Sequence, residues 1–139
     1  MAANSRFAVS IHCMLALAYM GESGSNAEVL ATSVQTNPVV VRRLLKALEK
    51  GGLVEIRQGK GGGVRLRRAP QDITLADIYA CESDGQLFSY HGAEANACCP
   101  VSCHIKNVLE PVFQAASHSL LATLKQTKLS DLIERLPAR

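Results

Sequence analysis

Nothing in this 139-residue chain resembles a membrane span or an export signal, and both absences narrow what it can do. No apolar run approaches the roughly 18 residues that a bilayer-crossing helix needs. The first residues lack the charged-then-apolar order of a secretory leader, so a cytoplasmic protein with no membrane partner is expected. Its five cysteines are odd in number and contain no Cys-x-x-Cys pair, which argues against a disulfide scaffold and against a thioredoxin-like oxidoreductase. The glycine cluster Gly59-Lys60-Gly61-Gly62-Gly63 lacks the Walker order G-x-x-x-x-G-K-[ST], and no βαβ pattern surrounds it, so it is not read as a nucleotide loop. A second full enzyme domain does not fit in this length, and no enzymatic activity is expected.

What is present is positive charge in one place. The formal net charge is only +3 and the isoelectric point near 8.7. Between Arg42 and Arg68, however, nine Lys or Arg stand against Glu49 and Glu55, leaving the remainder net acidic. Such asymmetry points to a polyanionic partner.

That basic segment has internal order. Pro38 suits the first turn of a helix and Asn37 can cap it. At 100° per residue, Val41, Leu44, Leu45 and Leu48 share one face, while Val39, Arg42, Arg43, Lys46 and Lys50 gather on the other. Gly51-Gly52 ends the helix. Two alternating stretches follow, Leu53 to Arg57 and Val64 to Arg67, with Val54, Ile56, Val64 and Leu66 inward and Arg57, Arg65 and Arg67 outward. Gln58, Gly59, Lys60, Gly61 and Gly62 form a turn slim enough to approach a ligand by its backbone. A basic helix face alone is usually solvated surface. Helix, strand, glycine-rich basic turn and strand in that order, behind a shorter helix capped by Asn26 with Ala27, Leu30, Ala31 and Val34, read as a winged helix-turn-helix for double-stranded DNA. A winged helix used only for protein contacts is the competing reading, and the concentrated charge disfavours it.

Upstream, Phe7, Ile11, Met14, Leu15 and Ala18 recur at helical spacing, with Ser5 as the expected cap, Gly21 as the stop and Arg6 placed where it could meet a phosphate. His12 and Cys13 inside this helix are read as packing residues. Thr74-x-x-Asp77 begins a fourth helix through Glu82. From Ser102, Ile105, Val108, Leu109, Val112, Phe113, Ala116 and Leu120 follow a 3-4 spacing over many turns. A helix so long and apolar along one side needs a partner, and a second copy of the chain is expected to supply it. Ser130 is expected to cap a last short helix. The fold class is therefore mainly α with a small β-wing (α+β). It divides into a DNA-binding domain over 1–83, a cysteine-containing loop over 84–103, and a dimerisation helix with a short terminal helix over 104–139.

The segments NAEVLATSV, VVVRRLLKALEKGGLVEIRQGKGGGVRL and ITLADIYA closely resemble the Rrf-type winged-helix transcription regulators, relatives of the iron–sulfur cluster regulator, the nitrite-sensitive repressor and the cysteine-metabolism repressor. The resemblance implies a homodimer with one recognition helix in a major groove and one wing in a minor groove per subunit, and an effector-sensing loop before the long helix. The family's wing often carries an arginine just before its first glycine, where this chain has Gln58 after Arg57.

Chemistry concentrates in Cys98-Cys99-Pro100-Val101-Ser102-Cys103-His104. Three thiols and an imidazole could hold an iron–sulfur cluster, bind a metal ion with His91 as a further donor, or oxidise reversibly. The resemblance implies three well-separated cysteines in cluster-binding members, whereas Cys98 and Cys99 are adjacent. The segment LFSYHGAEANACCPVSCHIKNVL is more similar to the cluster-free YwnA-like subgroup, with Cys99 in its Cys-Pro-Val step. Cys103 and His104 start the long helix, whose positive end favours a thiolate. The resulting expectation is a redox-controlled regulator, a repressor, without cofactor, sensing through Cys98, Cys99 and Cys103. Cys81 is a further resolving thiol or a core residue.

Overall fold

The computed structural model describes residues 3–83, 87–92, 94–96 and 98–138. Helix α1 (Ala3–Met20) leads through a single 3-10 turn to α2 (Ala27–Val34) and α3 (Pro38–Lys50). Strands β1 (Val54–Arg57) and β2 (Gly63–Leu66) form the wing, followed by α4 (Leu75–Glu82), α5 (Pro100–Lys125) and α6 (Leu129–Ile133). No helix among the described residues is long and apolar enough to cross a membrane.

The apolar spacing builds the core as expected. Met14 and Leu17 of α1, Leu30 of α2, Val41, Leu45 and Leu48 of α3, Val54, and Ile78 of α4 are all buried in one cluster. Asn26 caps α2 through a bond from Val29 N–H (2.8 Å), and Asn37 caps α3 through one from Val39 N–H (2.8 Å). The capping box at Thr74 and Asp77 is complete in both directions. Two expected caps are corrected. Helix α1 begins at Ala3, so Ser5 lies inside it, and α6 begins at Leu129, so Ser130 is its second residue. The cap there is Lys128, whose N–H donates to Asp131 Oδ2 at 2.8 Å.

The wing pairs antiparallel in the register Val54–Leu66, Glu55–Arg65, Ile56–Val64 and Arg57–Gly63. It is also tied to the helices. Ser25 and Val64 exchange two backbone bonds of 2.8 and 2.7 Å, placing the residues before α2 beside β2. Gly63 sits at φ +145°, and a Cβ there would stand 2.6 Å from the Ser25 carbonyl oxygen. Only glycine permits that approach.

Helix α5 contrasts with the rest. It continues through Pro111 as one element of 26 residues, and none of them is buried. It starts at Pro100, so the last residues of the stretch expected to be loop are helical. Asp84, Gly85 and Gln86, read as the start of that loop, lie outside the described residues. After α5 the chain returns to the core, where Leu129 is fully buried and its N–H bonds the Ile73 carbonyl at 2.8 Å.

Candidate nucleic-acid interface and cysteine loop

On α3 the apolar face (Val41, Leu44, Leu45, Leu48) is buried, so the opposite face is obliged to point outward. Val39 is half exposed, and Arg42, Arg43, Lys46 and Lys50 are all exposed. A cleft of about 480 Å³ brings Arg42 and Lys46 together with Arg57, Gln58, Gly59 and Gly62 of the wing. Recognition helix and wing thus share one basic concavity. The wing turn needs its glycines: Gly59 and Gly61 adopt φ of +84° and +77°, flanking the exposed Lys60. Glu49 holds the wing against α3 by accepting the Ile56 N–H at 2.9 Å.

The structure sorts the basic residues by their partners. Arg57 pairs with Glu55 at 3.1 Å, and Arg68 lies 3.8 Å from Asp77. Arg42 pairs with Glu28 of α2, a residue that nothing in the local pattern of either helix singles out. Arg65 is exposed and stands opposite Glu55 in the ladder. Arg6 is exposed on α1, close enough to Glu82 for its charge to act on that carboxyl. Ser10 Oγ and Glu82 Oε1 are shut off from solvent without a hydrogen bond of good geometry. Burial is the larger influence and raises the Glu82 pKa, against smaller lowering by the Ser10 hydroxyl and Arg6.

The cysteines fall into two groups. Cys13 is fully buried, and burial, helped by the Glu82 charge, pushes its thiol up to about 11. Cys81 is raised in the same way by burial, then by Glu82 and Asp77, and donates to the Asp77 carbonyl at 3.3 Å. Both shifts favour the protonated thiol over the thiolate. Cys98 and Cys103 are exposed and Cys99 half-buried. Asn96 organises these three. Its carbonyl accepts the Cys99 N–H (2.9 Å) and the Cys103 thiol (3.3 Å), its Oδ1 accepts the Cys98 N–H (3.0 Å), and its own N–H donates to Ser102 Oγ (2.7 Å). His104 Nδ1 lies 2.8 Å from the Pro100 carbonyl oxygen.

As placed, these donors do not converge into a metal-ion site. Cys103 Sγ and His104 Nδ1 are each directed at a backbone carbonyl, and among the described residues no three His, Cys, Asp or Glu side chains converge on one point.

Along α5, Ile105, Leu109, Phe113, Ala116 and Leu120 are half-buried by their own chain, whereas Val108 and Val112 are 64% and 60% exposed. Phe113 in particular is covered from within. Phe88 stacks on it with centroids 4.6 Å apart, and Tyr90 lies at 5.6 Å. The spacing that grouped Phe113 with the seam does not distinguish a loop cover from a partner subunit.

A family model described as Rrf2, an iron-dependent transcriptional regulator, matches residues 3–135. The chain belongs to the Rrf2 family. It is 38% identical to YwnA of Bacillus subtilis, a helix-turn-helix-type transcriptional regulator by name, over 96% of this chain and 98% of that one. It is 30% identical to the NsrR regulator of the same organism, over 79% of this chain and 74% of that protein. Among solved structures, a transcriptional regulator from Lactobacillus plantarum superposes with a TM-score of 0.78 at 30% identity, covering 91% of this chain and 86% of that one. IscR of T. potens shares the fold, with a TM-score of 0.70 at 22% identity over 97% and 90% of the two chains. This Rrf2 protein is accordingly a DNA-binding transcription regulator and not an enzyme.

Proposed function

We propose that this Rrf2 regulator binds its operator as a homodimer and represses transcription there, with affinity set by the oxidation state of Cys98, Cys99 and Cys103. The observation that carries the reading is the position of Asn96. It ties all three cysteines to the first turn of α5, the helix that fully buries none of its residues within its own chain. A second copy lying along α5 covers Val108 and Val112 and sets the separation of two recognition helices, which must match two half-sites one helical turn apart. A chemical change at the start of α5 is then felt as a change in that separation.

Cys99 is the sensing thiol and Cys103, one helical turn on, the resolving one. Peroxide oxidises Cys99 to the sulfenic acid, releasing water, and the Cys103 thiolate displaces the second oxygen, also as water, leaving a disulfide. The Cys103 S–H bond to Asn96 is lost in that step, which removes one of the bonds that hold Asn96 against the first turn of α5. No metal or cluster takes part. The experiment compares operator affinity of reduced, peroxide-treated and re-reduced protein beside Cys99→Ser. Reversible loss of affinity in wild type alone supports the switch. Unchanged wild-type affinity, or an equal response in the variant, overturns the role of Cys99.

A further inference from the structure

A recognition helix can spend an arginine on phosphate, which adds affinity without discrimination, or on a base edge, which adds discrimination. Arg42 lies on α3 inside the cleft shared with the wing, alongside Lys46, Arg57 and Gln58. Among the described residues lining that cleft, Glu28 is the only acid, and its Oε1 accepts from Arg42 Nη2. The two side chains remain 59% and 51% exposed. An ion pair so open to water adds little to stability, so holding α2 against α3 is a weak reason for it. Glu28 also stands in the first turn of α2, where an acid suits the helix dipole whether or not it meets an arginine.

The pair has two consequences on DNA. The guanidinium is planar with five N–H donors in a fixed fork, so engaging one Nη2 hydrogen sets the plane in which the remaining donors lie. The carboxylate also repels phosphate oxygens and cancels the charge that Arg42 would otherwise present to the backbone. We infer that Glu28 is a specificity-determining residue, which holds Arg42 for a base edge with two acceptors, as guanine presents through O6 and N7, and denies it to phosphate. Lys46, which makes no ion pair among the described residues, remains the residue that meets the DNA backbone. The inference rests on the reading that α3 enters the major groove.

The test uses the full chain, a duplex enriched from a random pool by the wild-type protein, and a scrambled duplex of the same composition. Glu28→Gln keeps the size of the side chain and removes its charge. It is expected to bind the scrambled duplex several-fold more tightly, with a log–log salt slope steeper by about 0.9 for each further phosphate that Arg42 neutralises. The ratio of selected to scrambled affinity should fall about tenfold, the loss of one base-reading arginine. In an Arg42→Ala background the same Glu28→Gln change should leave that ratio unaltered. A Glu28→Gln protein whose ratio and salt slope match wild type, with only its melting temperature moved, makes Glu28 a link between helices and overturns the inference. If wild type enriches no sequence at all, the reading of α3 as the groove-entering helix fails first.

Discussion

Val112→Asp is the sharpest probe of the proposed dimer, because Val112 is 60% exposed in the single chain and the subunit itself loses almost nothing by the change. Fully burying a valine is worth about 1.5 kcal/mol or somewhat more, so covering the exposed part of Val112 with a second copy contributes about 1 kcal/mol per subunit. Aspartate removes that gain. It also costs a few kcal/mol more, either to desolvate the carboxylate or to protonate it. A two-fold axis counts both terms twice, giving about 5 kcal/mol or more, and at roughly 1.4 kcal/mol per decade the dimer Kd rises by over about a thousandfold. Sedimentation velocity should show monomers at micromolar concentration, with circular dichroism and thermal melting of the monomer showing an intact winged helix. Affinity for a two-half-site duplex should fall with it. Phe113→Asp is a poorer test, since it also strips the stacking of Phe88 and Tyr90. An intact Val112→Asp dimer would refute the argument that the open side of α5 is the seam.

Lys60→Ala, at the tip of the wing, should reduce the log–log salt slope of DNA binding by about 0.9 for each phosphate that Lys60 neutralises, and an unchanged slope in fluorescence-anisotropy titrations would remove the wing tip from the interface. Gly51→Ala should destabilise by about 1–3 kcal/mol through overpacking, because a Cβ there would stand 2.2 Å from Cys81 Sγ. Denaturant melts of Gly51→Ala with Cys81→Ala should recover most of that loss, since the nearest remaining side-chain atom, Cys81 Cβ, is 3.6 Å away. Glu82 has its pKa raised in the folded state, chiefly by burial, so its contribution is present below the unfolded pKa and lost as pH rises through the folded one. Glu82→Gln is therefore expected to melt higher than wild type near about pH 7, and the gap should close by about pH 4; a gap independent of pH would mean that the carboxyl charge is not the cause.

The regular elements were legible in the sequence because their causes are local. The cap at Asn37, the four-residue apolar face of α3, the alternation on both sides of the wing turn and the Thr74–Asp77 box each depend on residues within about one or two turns of each other, and all appear in the structure at those positions. Charge clustering between Arg42 and Arg68 was equally legible, since it depends on composition alone. The terminal caps failed for a related reason. Ser5 and Ser130 are good capping residues, but helix α1 extends past one and the Ile73–Leu129 pairing sets the start of α6 before the other.

Tertiary structure alone decided which cation meets which acid and which apolar side chain is already covered. Glu28 and Arg42 are 14 residues apart, Ser25 and Val64 farther still, and no periodicity within either element distinguishes their pairing from exposure to water. The same spacing in α5 places Val112 and Phe113 in one expected seam. Only the return of the loop, with Phe88 on the Phe113 ring, separates a residue satisfied by its own chain from one left for another. Burial is a property of what closes over a surface, and that is settled where distant parts of the chain come together.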